Sequence, residues 1–199
     1  MSTIAKWSGF AAMAAAAVST AAAQTPQRTT ATYGDWTVRC ETGAAEGAAR
    51  ACELVQSITV QGQAAPIAQV AIGPVADEGG YRLVVQLPLN VWLPTDVKLA
   101  AGEEAIASAE FKRCFPQFCL AEARLTDAEL EGLRGRTGEG AVTFQDAGQR
   151  DVTVPLSFNG IADAHSALVA ETGAAEDAAA DGEADAEDEE GAPGGDRAD

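Results

Sequence analysis

The chain reads as an all-β protein, a sandwich or barrel with one or two short helices. Three observations predict this. Short β-prone runs recur along the chain, each bounded within a few residues by Gly, Pro, Asn or Asp. Cys114 and Cys119 bracket the proline-containing connection Phe115-Pro116-Gln117-Phe118 between two such runs. Helical spacing is confined to a short segment after Thr126 and another after Gly160.

The first run able to pack is Thr32 to Cys40, in which Trp36, Val38 and Cys40 alternate toward the core. Glu41 to Ala49 is rich in Gly and Ala and reads as a hairpin loop. Ala51 to Val60 is the next strand, with Cys52, Leu54, Gln56, Ile58 and Val60 on one side. After the turn Gln61-Gly62-Gln63 come strands over Pro66–Ile72 and Tyr81–Leu87, separated by Asp77-Glu78-Gly79-Gly80. Pro88 and Pro94 interrupt the following segment. Proline donates no ladder hydrogen bond, so the segment is an edge strand or an extended crossover. Val97–Leu99 and Glu104–Phe111 are short strands.

The cysteine hairpin follows. Pro116 suits the second position of a type I turn, because its ring already holds the required φ. The turn brings Cys114 and Cys119 within disulfide reach. Beyond it, Thr126-Asp127-Ala128-Glu129 is a capping box, in which threonine and glutamate satisfy exposed amides reciprocally, and Gly135 is the available C-cap. Strands over Ala141–Gln145 and Val152–Phe158 flank the turn Asp146-Ala147-Gly148-Gln149. After Asn159-Gly160, the residues Ile161, Ala164, Ala167 and Leu168 mark a helix packed on the sheet. His165 falls off that stripe and is expected at the surface.

The two ends of the chain differ in composition from its middle. Lys6 precedes the small and apolar run Trp7–Val18, and Ala21-Ala22-Ala23 supplies a cleavage pattern, so residues 1–23 read as a signal peptide cut before Gln24. The run is short for a bilayer span, and no cysteine follows the cut to carry a lipid. Residues 24–31 are polar and read as a flexible lead-in. The packed domain is placed at 32–170. Residues 171–199 hold twelve acids against Arg197, which accounts for −11 of the chain's −17. With no aromatic or large aliphatic residue, this tail is expected to be disordered. The reading places the mature chain in the periplasm or secreted at the cell envelope. The acidic balance argues against nucleic acid or an anionic membrane as partner.

In an oxidising compartment the four cysteines are expected as disulfides. Three pairings exist. The local one, Cys40–Cys52 with Cys114–Cys119, is preferred because each pair brackets a hairpin. Zinc would call for closer cysteines or histidine ligands, and His165 is the only histidine. A redox dithiol would call for C-x-x-C before a helix.

Tyr33-Gly34-Asp35-Trp36-Thr37-Val38-Arg39-Cys40, Leu87-Pro88-Leu89 with Leu93-Pro94, Cys114 with Cys119, and Val154-Pro155-Leu156-Ser157-Phe158-Asn159-Gly160 form an ordered series. That series resembles the invasion-associated locus B family of bacterial envelope proteins over about residues 32–169. The resemblance implies an immunoglobulin-like β-sandwich exported to the envelope. Its name implies a role in host-cell invasion, and it brings no catalytic residues to this chain.

The function expected is non-enzymatic protein binding, with Trp92, Phe115 and Phe118 as contact residues, because aromatics at loop tips make good anchors. The competing reading packs Trp92 in the core and both phenylalanines on the domain. No cofactor is expected. A hydrolase would have to use Ser157, Asp163 and His165, which lack a nucleophile elbow. A periplasmic thiol-redox protein would have to use Cys114 and Cys119.

Overall fold

The computed structural model describes residues 27–43, 49–60, 65–75 and 79–173. The expected signal peptide at 1–23, the expected tail from 174 on, the turn at 61–63 and residues 44–48 of the Glu41–Ala49 loop lie outside the described residues.

Ten antiparallel strands follow one another: β1 (Gln27–Tyr33), β2 (Trp36–Thr42), β3 (Arg50–Ile58), β4 (Ala68–Pro74), β5 (Tyr81–Leu87), β6 (Val97–Ala101), β7 (Glu104–Cys114), β8 (Cys119–Leu125), β9 (Glu139–Gln145) and β10 (Asp151–Ser157). Helix α1 (Asp127–Arg134) joins β8 to β9, and α2 (161–173) follows β10. The strand order is β1-β2-β3-β4-β5-β8-β7-β6-β9-β10.

The sheet turns a corner at β7. Its first part pairs with β6, Ala109 opposite Val97, and its second part pairs with β8, Glu110 opposite Glu122. The register slips between Phe111 and Arg113, a bulge of the kind that bends a strand and changes its partner. Folded this way, β6, β9 and β10 lie against β2 to β5. Trp36, Leu54, Val70 and Leu83 from one layer share a single core with Leu99, Val142 and Leu156 from the other. The sandwich expected from the sequence is therefore formed.

Local signals hold where they are short-range. Thr126 caps α1, its hydroxyl accepting from Glu129 N at 3.2 Å and its own N–H donating to Glu129 Oε2 at 2.8 Å. Ile161, Ala164 and Leu168 of α2 are buried, as the helical stripe requires. The Pro88–Pro94 segment is the crossover from β5 to β6.

Four expectations are corrected. Thr32–Cys40 is two strands, because Gly34 (φ +58°) and Asp35 make a tight turn between Tyr33 and Trp36. The flexible lead-in at 24–31 is strand from Gln27 on, since an exposed edge strand built of threonines shows no apolar alternation to read. At the other end α2 runs past 170 to 173, where Glu171 pairs with Arg50 at 2.6 Å. His165 is buried rather than exposed, its ring 5.2 Å from that of Tyr81.

Candidate functional site

The site is built on the hairpin of β7 and β8. Cys114 and Cys119 are directly opposed in the register and disulfide-bonded, with Cα atoms 3.9 Å apart. Phe115 N donates to Phe118 O at 2.7 Å, which leaves Pro116 second of the four turn residues. Cross-link, proline and hydrogen bond together hold the tip in one shape. The Phe115 and Phe118 rings meet at 4.9 Å, tilted by 41°. The Arg113 guanidinium lies 6.0 Å from the centre of the Phe115 ring and pairs with Glu122 at 2.9 Å. This favours the face of the ring electrostatically.

The register extends the tip into a rim. Leu87 is opposite Cys119, so Pro88 falls beside Phe118, and Ala68 at the start of β4 falls beside Leu87. A groove of about 470 Å³ runs between them, lined by Pro66, Ile67, Leu87, Pro88, Gln117 and Phe118. Leu89 is 52% exposed and Phe115 is 42% exposed. Phe115, packed on Phe118 of the groove wall, is an exposed large apolar side chain of the kind that marks contact surfaces.

Just behind the tip the surface is charged. Lys112 bonds Glu110 at 2.6 Å, and that bond and charge hold the Glu110 carboxyl below its usual range and the Lys112 amine above its own. The apolar rim is thus bordered by neutralised ion pairs.

Of the sequence-predicted contact residues, Phe115 and Phe118 are together and Trp92 is elsewhere. Trp92 does not line the groove. Its N–H donates to Gln145 O at 2.8 Å and its carbonyl accepts from Thr95 Oγ1 at 3.1 Å, which ties it half-buried against the end of β9. Pro66 and Ile67 complete the groove, and sequence reasoning did not single them out. Only the strand register, across residues far apart in the chain, brings them to Phe118.

The second disulfide, Cys40–Cys52, is a buried cross-strand pair between β2 and β3, Cα atoms 4.0 Å apart. Both local pairings are therefore present, and among the described residues no cysteine is free. Glu171 has a carboxylate oxygen within 4.8 Å of both sulfurs of this pair. Sulfurs bonded to each other offer no thiolate, so the cluster is not a metal site as it stands.

The residues proposed for hydrolysis are not assembled into a triad. Ser157 Oγ donates to Asp35 Oδ2 at 2.7 Å and accepts from Asn159 N at 3.1 Å. Asp163 is exposed, and His165 packs against Tyr81. No described helix is long and apolar enough to cross a membrane.

Comparison with known proteins bears on the fold and the family. The chain is similar over most of its length to the crystal structure of invasion associated protein b from Bartonella henselae, with a TM-score of 0.60 and 21% identity, covering 71% of this chain and 95% of that one. No curated protein matches the chain. The model of the family described as invasion associated locus B protein matches residues 36–169, from Trp36 at the start of β2 to Val169 in α2. The chain belongs to the invasion associated locus B family.

Proposed function

We propose that this protein is a non-enzymatic, exported envelope protein that binds another protein through the apolar rim of Phe115 and Phe118 with the groove beside them. The observation that carries the reading is exposed Phe115, packed on Phe118, beside a groove whose tip a disulfide and a proline hold before any partner arrives. A preformed site loses less conformational entropy on binding than a mobile loop does. Two disulfides support an oxidising location outside the cytoplasm. The similar Bartonella protein is titled invasion associated, which supports contact with a host-cell or envelope protein as the use of the surface.

The hydrolase alternative is weakened by the engagement of Ser157 with Asp35, and the thiol-redox alternative by the pairing of all four cysteines. A photo-crosslinking residue at Gln117 tests the reading. It should trap a discrete protein from envelope extracts or host-cell membranes, and the same residue at exposed Lys98 should not. Equal labelling from both positions would count against a site at the rim.

A further inference from the structure

We propose that His165 makes the docking of α2 sensitive to acid, so that protonating this one side chain loosens the helix from α1 and β5. The proposal rests on where the imidazole sits. His165 is buried, and its Nε2 has no hydrogen-bond partner. Its ring packs on Tyr81, the first residue of β5, with centroids 5.2 Å apart. Toward it from α1 come Arg134 and Glu131, which are bonded to each other at 2.5 Å. Among the described residues the carboxylate acting on the ring, Glu131, is thus already held by a cation, and Asp127 of α1 acts on the neighbouring Tyr81 phenol.

The other charges nearby do not alter this balance. From β5 the seam receives the Tyr81 phenol, which burial pushes up and which stays neutral. On α2 itself Asp163 is exposed, and Glu171 pairs with Arg50. An imidazolium here would place a second positive charge beside Arg134, with an N–H donor at Nε2 and no acceptor. Burial first, and then Arg134, hold the His165 pKa below its ordinary 6.5, against a smaller opposing effect of Glu131.

The sign follows. The unfolded or undocked chain takes up the proton more readily than the docked one. Stability from this contact is present above about pH 6.5 and is lost as pH falls through the lower, docked-state pKa. Release would expose Ile161, Ala164 and Leu168, the buried stripe of α2. The start of the helix is anchored separately, where Asp35 N donates to Asn159 O at 3.1 Å, so the effect is local to α2.

His165 is the only histidine, so the full chain shows a single imidazole titration by NMR. The midpoint is expected below 6.5, and amide exchange over 161–173, corrected for its intrinsic pH dependence, is expected to quicken about tenfold for each pH unit of that depression. His165→Gln should abolish the pH-dependent part while β2 to β5 exchange as before. A midpoint at or above 6.5, unchanged protection of α2 through the titration, or the same acid loss in His165→Gln would overturn the proposal. Should His165→Gln fail to fold, the midpoint and exchange of the unaltered chain decide between the same two outcomes.

Discussion

Ser157 Oγ donates to the Asp35 carboxylate at 2.7 Å across 122 residues of chain. Asn159 Nδ2 reaches the same carboxylate oxygen at 3.3 Å, and Asp35 N donates to Asn159 O at 3.1 Å. The β1–β2 turn and the end of β10 are thereby clasped. Trp36 Nε1 adds a bond to Ser157 O at 2.8 Å from inside the core. The clasp explains why Gly34 and Gly160 stand in these two segments: both have positive φ, and a Cβ on Gly160 would sit 2.1 Å from Tyr33 O. It also fixes where α2 begins, one residue after Gly160.

Asp35→Ala should therefore cost about 1–2 kcal/mol, since it removes an acceptor from two partly solvated donors. Gly160→Ala should cost at least about 3 kcal/mol, because left-handed strain and a backbone clash add together. Urea unfolding of the two variants checks both values, and a mild Gly160→Ala would show that the segments are not in contact.

Gln56 closes the same junction from β3. It is buried, its Nε2 donating to Ser157 O and its Oε1 accepting from Ser157 N, each at 2.8 Å. Gln56→Leu keeps the volume and strands Ser157 N, while Ser157 O keeps its bond from Trp36 Nε1, so it should cost roughly 1–3 kcal/mol. A stability within 0.5 kcal/mol of the unaltered protein, by the approximate scale for surface changes, would show that water replaces the amide.

The two disulfides should differ in worth. Cys40–Cys52 spans 12 residues of sequence and is buried, whereas Cys114–Cys119 spans 5 at an exposed tip. Replacing both cysteines by serine should cost about 3 kcal/mol for the first pair and about 2 kcal/mol for the second by loop entropy. Burying two hydroxyls adds to the first loss, and burying one, at Cys119, adds less to the second. Thermal unfolding of the two double variants should preserve that order.

What could be read from the sequence was local. Pro116 between Cys114 and Cys119 states its own turn, and Thr126 with Glu129 states its own cap, because each partner lies within five residues. Alternation placed Trp36, Val38, Leu54 and Gln56 on the core side correctly. The partners of Gln56 and His165 were not legible, since Ser157 and Tyr81 come near only through the fold. Strand β1 was missed for the opposite reason: Thr29, Thr30 and Thr32 are exposed at a sheet edge and carry no apolar pattern. At the site, the Phe115–Phe118 pair was legible from the hairpin. Trp92 does not join that pair in the groove, because its segment is bonded to Gln145 of β9.

The central claim is that the stapled rim is a protein-binding surface, and Phe115→Ala with Phe118→Ala tests it most directly. Neither ring is part of the central core, and the tip keeps its disulfide, Pro116 and the Phe115–Phe118 backbone bond. The double variant should keep its circular dichroism spectrum and its thermal midpoint within a few degrees. Affinity for the partner trapped through Gln117, measured by calorimetry, should weaken by about 2 kcal/mol or more. A folded double variant that binds this partner with unchanged affinity would contradict the account.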